Sequence, residues 1–139
     1  MNIDSICNGV VIDHITAGRG MKLYELLGLN NKDCSVAIIQ NVASKKSGKK
    51  DIIKIDADIM IDLDVIGYVD PKVTVNIIKN GEIIEKRNIE MPKQLKNVIK
   101  CKNPRCITTT EQEIDHIFKL TDKEKGIYRC IYCATKAKD

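Results

Sequence analysis

The chain has 139 residues, 43% apolar and 30% charged, with one Phe and no Trp. That length suits one ordinary domain or two small ones. The formal net charge of +4 is too small to demand nucleic acid as a partner. No apolar run reaches a membrane span, and Met1-Asn2-Ile3-Asp4 lacks a charged-then-apolar export pattern, so a cytoplasmic protein with no membrane partner is expected.

Ile and Val supply the apolar bulk, which favours sheet. Residues 10–15 predict a strand, and Thr16 to Gly20 a glycine-containing loop. Residues 21–29 carry Met21, Leu23, Tyr24, Leu26 and Leu27 at the spacing of a short amphipathic helix, ended by Gly28 and Asn30-Asn31. Strands are expected over 34–40 and 51–56, with a polar lysine-rich hairpin tip over 44–50. A second helix is expected over 62–69, closed by Asp70-Pro71, although 59–66 also has strand character. Residues 73–79 and 82–88 are strands joined by Asn80-Gly81, a pair that favours a type I′ hairpin. Strand–helix–strand–strand–helix–strand plus one extra strand is a ferredoxin-like order.

Met91-Pro92-Lys93 reads as a boundary between domains over 1–92 and 93–139. The second is too small to bury a core unaided. It carries Cys101-x4-Cys106 and Cys130-x2-Cys133, the spacing of a four-cysteine zinc site. Each short spacing brings two sulfurs from one turn to one ion. Four protein ligands leave no open position, so one structural and non-catalytic Zn²⁺ is expected. A pair of disulfides is the competing arrangement, and the lysine-rich composition without an export signal argues against it. Four thiolates on one Zn²⁺ lower the net charge to +2. Residues 107–110, 114–120 and 126–130 read as short strands, giving a small antiparallel β module. Cys7 and Cys34 sit beside apolar residues and read as buried free thiols.

No catalytic apparatus assembles. The two histidines, His14 and His116, are far apart in sequence, and no nucleophile elbow, P-loop or paired-carboxylate motif is present. Gly18-Arg19-Gly20 precedes a helix, but Leu23 spoils a dinucleotide fingerprint. Asp13 and His14 interrupt an apolar strand, and two readings fit. They are an outward acid with a satisfied histidine, or a polar site on a sheet that meets a ribose and phosphates. Lys54 and Asn76 interrupt neighbouring strands in the same manner.

Val11-Ile12-Asp13-His14-Ile15, the run Gly48 to Ile55, Pro71 followed by Thr74-Val75-Asn76, and the four cysteines stand in one order. With them the chain resembles the regulatory subunit of aspartate carbamoyltransferase along nearly its whole length. The resemblance implies an α+β protein, with a ferredoxin-like nucleotide-effector domain followed by a zinc domain that docks to the catalytic chain. It implies a non-catalytic, allosteric role in pyrimidine biosynthesis, a regulatory dimer of two copies of this chain, and CTP, ATP or UTP as effectors. Carried across residue by residue, Asp13 and His14 contact ribose and phosphates, and Lys54 contacts base and ribose. Asn76 and Lys86 hold the triphosphate. Ile6 and Ile12 line the base pocket, partly through backbone, Val11 and Ile83 lie against ribose and base, and Ile3, Asp4 and Ser5 touch the nucleotide.

Two features depart from this pattern. Gly81 stands where the family often has a larger residue. With a two-residue turn, Ile83 shares the face of Asn76 and Lys86 points away, so a β-bulge, a strong twist or a long reach is required. The rival from another class is a zinc-ribbon nucleic-acid binder, built on the Lys45, Lys46, Lys49 and Lys50 tip and on Phe118, Tyr128 and Tyr132. A solvated loop is the bland account of that tip, and neither DNA nor RNA is expected as a partner.

Overall fold

The structure, a computed structural model, describes residues 6–46 and 48–137. The chain divides into two compact units between Glu90 and Met91. The first contains β1 (Gly9–Thr16), α1 (Gly20–Leu26), a 3-10 turn (Leu29–Asn31), β2 (Ser35–Ser44), β3 (Gly48–Asp56), α2 (Leu63–Val69), β4 (Thr74–Lys79) and β5 (Glu82–Asn88). Its sheet runs β2-β3-β1-β4-β5, with every neighbouring pair antiparallel. The first four strands and two helices make the ferredoxin-like arrangement, and β5 extends it beyond β4.

Alternation sorts the side chains. Val10, Ile12, Ile15, Ile53, Ile55 and Val75 are buried on one face. Leu23 of α1 and Val65, Ile66 and Val69 of α2 are buried with them. Helix α2 prevails over the strand reading because the Asp62 carboxylate accepts from the Asp64 N–H at 3.0 Å and caps it. The chain leaves α2 at Asp70, just before Pro71. At the β4–β5 turn Asn80 and Gly81 both have positive φ, 53° and 77°, as a type I′ turn demands.

Among the described residues of this unit, three β-bulges break the alternation. In β1, Asp13 and His14 together oppose the step between Ile53 and Asp51, with His14 at φ 60°. In β2, Gln40 and Asn41 do the same between Ile52 and Lys50. In β5, Ile84 is the extra residue, because Ile78 pairs with Ile83 and Ile77 with Glu85. The β2 bulge lets the strand continue, so the β2–β3 arms run past the expected 40 and 51 into the lysine-rich tip.

Helix α1 has no local side-chain cap. The wholly buried Asp51 serves instead. Its Oδ2 accepts from the N–H groups of Gly18 and Gly20, and its Oδ1 from that of Asn41, each at 3.0 Å. A Cβ at residue 20 would lie 2.9 Å from Asp51 Oδ2, so glycine is required for this approach.

The second unit holds β6 (Gln94–Lys96), α3 (Ile107–Thr110), β7 (Ile117–Asp122) and β8 (Ile127–Cys130), its antiparallel sheet ordered β6-β7-β8. Leu95, Phe118 and Cys130 form one cross-strand row, and all three are buried. Residues 107–110 are a helical turn and not the expected strand. The Thr109 hydroxyl donates back to the carbonyls of Asn103 and Cys106 at 2.8 Å, a local bond that outcompetes the strand preference of threonine. Cys7 is exposed and Cys34 half-buried, against the expectation of buried thiols, because each lies just outside a strand.

Asp51→Ala strands the buried Gly20 N–H and takes the acceptor from the part-buried Gly18 and Asn41 N–H groups, a loss of about 1–3 kcal/mol from the buried donor alone. The urea midpoint of the zinc-loaded chain should fall accordingly, with Asp51→Asn recovering part of the difference. An unchanged midpoint would refute this role.

Candidate functional site

The four sulfurs of Cys101, Cys106, Cys130 and Cys133 lie within 4.8 Å of one another. Cys101 and Cys133 are 3.5 Å apart, and Cys106 and Cys130 are 3.7 Å apart. Tetrahedral thiolates at a Zn–S distance of about 2.3 Å are separated by about 3.8 Å. The donor set and spacing therefore fit one structural zinc ion, and none of the four is paired in a disulfide.

Two turns deliver the ligands. In the first, the Asn103 side chain accepts from the Arg105 N–H and the Asn103 carbonyl from the Cys106 N–H. In the second, Ala134 takes φ 63° as the chain reverses after β8, and its N–H reaches the Cys130 carbonyl at 2.9 Å. Hydroxyls brace the sulfurs. Thr108 lies 3.1 Å from Cys106 Sγ and Thr135 3.2 Å from Cys133 Sγ. His116 Nδ1 accepts from the Cys101 N–H at 3.1 Å, which places the ring proton on Nε2. Sequence reasoning missed Thr108, Thr135 and His116. The only signal was their nearness to ligands, in sequence for the threonines and in space for the histidine.

Burial, and secondarily the neighbouring sulfurs, push the Cys101 thiol up to about 12. Cys130 is raised by the same causes. The Thr135 hydroxyl, against the effect of burial, draws Cys133 down to about 6. Four thiolates this close need a cation between them. Zinc binding at neutral pH should therefore displace at least two protons per ion, those of Cys101 and Cys130, and zinc affinity should fall as pH falls. Calorimetry in buffers of different ionisation enthalpy measures the number, and a value below one would be incompatible with this cluster.

The second constellation lies on the sheet face away from the helices. Cross-strand pairing puts Lys54 of β3, Val11 of β1, Asn76 of β4 and Lys86 of β5 in a single row. The Ile84 bulge returns Lys86 to the face of Asn76 while leaving Ile83 there beside Ile78, which resolves the parity conflict in the sequence. The β1 bulge turns Asp13 and His14 together toward this side, and Asp13 pairs with Thr74 in the next row. Lys50 holds Asp13 Oδ1 at 2.9 Å. Burial alone would raise the Asp13 carboxyl, but Lys50 and the His14 N–H outweigh it and keep it below the usual range. Asp13 is thus a fixed anion at neutral pH, able to accept from a hydroxyl.

Ile12 is the exception among the expected residues. Its side chain is wholly buried on the helix-covered face, so only its backbone can reach a ligand. Ile6 is buried as well. Ile3, Asp4 and Ser5 lie outside the described residues. No larger side chain takes the place of Gly81, whose N–H donates to the Cys7 carbonyl at 2.9 Å.

Among the described residues, two buried side-chain polar atoms lack a hydrogen-bond partner, His14 Nδ1 and Asn76 Oδ1. Both belong to this constellation. His14 Nδ1 is 3.9 Å from Asp13 Oδ2, beyond hydrogen-bond reach.

The rival reading loses two of its three aromatics, and only Tyr132 is exposed. Phe118 and Tyr128 are buried, and the Tyr128 hydroxyl donates to the Pro92 carbonyl at 2.6 Å, so neither ring is free to stack on a base. Nor is the lysine tip merely solvated, because Lys50 is committed to Asp13.

A helix-backed sheet joined to a closed four-thiolate module defines a two-unit chain with a structural, non-catalytic metal centre. Residues 1–90 match the family described as aspartate carbamoyltransferase regulatory chain, allosteric domain, and residues 93–139 match its metal binding domain. The chain is 54% identical to the aspartate carbamoyltransferase regulatory chain of Clostridium tetani over 134 residues, 96% of this chain and 93% of that one. It is 53% identical to that of Clostridium botulinum strain Hall, covering 96% and 91%, and 44% identical to that of Bifidobacterium longum, covering 99% of each. The chain belongs to the family of aspartate carbamoyltransferase regulatory chains, and is a regulatory and not a catalytic subunit. No helix among the described residues is long and apolar enough to cross a membrane.

Proposed function

We propose that the open face of the sheet binds nucleoside triphosphate effectors of aspartate carbamoyltransferase, and that the zinc module docks the chain to the catalytic subunit. The observation that carries the first half is the pair of unpartnered buried atoms on His14 and Asn76. A buried polar atom without a partner costs about 1–3 kcal/mol, and a ligand seated here removes that cost. The His14 imidazole offers a ring N–H to a phosphate. The Asn76 amide, turned by half a rotation, offers its NH₂. Lys54 and Lys86 supply ammonium donors on either side, and Asp13 accepts from a ribose hydroxyl. Ile83, Ile78 and Val11 provide the apolar end of the same face for a base.

Effector control works through differential affinity for two states of the assembly. A pyrimidine triphosphate such as CTP favours the less active state and ATP the more active one, with couplings of about 1–3 kcal/mol. Pairing of two copies into a regulatory dimer has a ready edge in β2. Its sequence, Ser35–Ser44, carries no charge, whereas β5 at the other edge is mostly polar or charged. An uncharged edge strand is a template for another strand.

Calorimetric titration of CTP and ATP into the zinc-loaded chain tests the nucleotide reading. Lys86→Gln should weaken CTP by about tenfold or more, since a hydrogen bond to a charged group contributes about 1.5–3 kcal/mol. Absence of binding in the unsubstituted chain would sink it. The docking half has its own check. A mercurial, a strong chelator or Cys106→Ala should release the chain from the catalytic subunit, and an assembly that survives complete zinc loss would refute it.

A further inference from the structure

Beyond the row of Lys54, Val11, Asn76 and Lys86, the open face does not end in solvent. The Thr74–Asn88 pair forms the next row, about 6.8 Å further along the strands. There the sheet meets a recess of about 920 Å³, walled by His14, Thr74 and Asn88 and by three lysines from two separate segments of the chain. Lys46 and Lys49 come from the β2–β3 tip, and Lys72 from the turn between α2 and β4. No carboxylate lines the recess among the described residues. Two acids close in sequence to residues that line it, Asp13 and Asp70, are committed elsewhere. Asp70 is buried, its oxygens accepting from the N–H groups of Thr16 and Lys72, and Asp13 is held by Lys50. His14 stands at the junction, lining the recess with a ring whose Nδ1 has no partner.

The face is therefore graded along β4 and β5. It is apolar at Ile78 and Ile83, singly cationic at Asn76 and Lys86, and densely cationic at the recess. We infer that the recess is the pocket for the outermost phosphate of the bound nucleotide, and that Lys46 and Lys72 make this chain sensitive to the number of phosphates. This rests on the nucleotide reading above, and adds residues to it that neither periodicity nor resemblance supplied. Two lysines converging on one group act as a point-charge clamp, favoured by a dianionic terminal phosphate and indifferent to the base. The recess would then serve purine and pyrimidine triphosphates alike and reject monophosphates.

The test is calorimetric titration of CMP, CDP and CTP into the full zinc-loaded chain, unsubstituted and as the Lys46→Gln/Lys72→Gln double variant. Both lysines are exposed, so the fold should be retained, and circular dichroism checks this. A third protein, Lys45→Gln, removes one charge from the tip outside the recess, as Lys46→Gln removes one inside it. The expected result is an affinity that rises with each phosphate in the unsubstituted chain. The double variant should lose at least about tenfold for CTP while CMP is unchanged, and Lys45→Gln should match the unsubstituted chain. An undiminished ratio of CTP to CDP affinity in the double variant would overturn the inference and leave the nucleotide reading intact. Equal losses for CMP, CDP and CTP, or a Lys45→Gln effect as large, would also overturn it, because the lysines would then act only through net charge. Failure of the unsubstituted chain to bind any of the three would instead remove the nucleotide reading, and this inference with it.

Discussion

Side chains along a β-strand alternate with a period of two, and the first unit depends on where that period is broken. Uninterrupted, β1 would send His14 into the core and Ile15 out of it. The bulge at Asp13 and His14 instead presents both polar groups on one face and returns Ile15 to the buried side. The extra residue Ile84 does the same for Lys86. Each bulge leaves the apolar layer under the helices continuous while it gathers ionisable groups opposite. The β1 and β2 bulges put a non-glycine residue at positive φ, His14 and Asn41. That conformation is tolerated more readily by Asn and His than by most residues.

A buried carboxylate ties two of these irregularities together. Asp51 anchors the α1 entry loop through Gly18 and Gly20, and the β2 bulge through Asn41. The lysine-rich tip beyond β2 is therefore fixed relative to His14 by an acid that never meets solvent. The positions of Lys50 against Asp13 and of Lys46 and Lys49 around the recess follow from that anchor.

The second unit solves a different problem. Its apolar resources are small: Leu95, Phe118 and Tyr128 are its large buried side chains. Four thiolates repel one another at these distances, and one divalent cation turns that repulsion into the cross-link that closes the module. Thr108, Thr135 and His116 then fix the ligand turns in place without touching the metal position.

Much of this was legible in one dimension. Paired cysteine spacing identifies a metal site because a turn of two to four residues is what brings two sulfurs to one ion. Asn80-Gly81 identifies its hairpin because few residues accept positive φ twice in succession. The strand and helix order of the first unit was written in its periodicity, and the motifs through Asp13, Lys54 and Asn76 carried the resemblance. Local patterning failed where a non-local or side-chain bond prevailed. Residues 107–110 curl because threonine hydroxyls bond back to the knuckle, and Gln94–Lys96 becomes a strand only because Ile117–Asp122 lies beside it. The sequence by itself determined the metal, the element order of the first unit and the family. Tertiary structure alone decided that Lys54, Asn76 and Lys86 share a row, that Ile12 faces away from it, and that lysines from two distant segments line one recess. Cross-strand register and bulges set those relations, and they depend on hydrogen bonds between segments that no local spacing encodes.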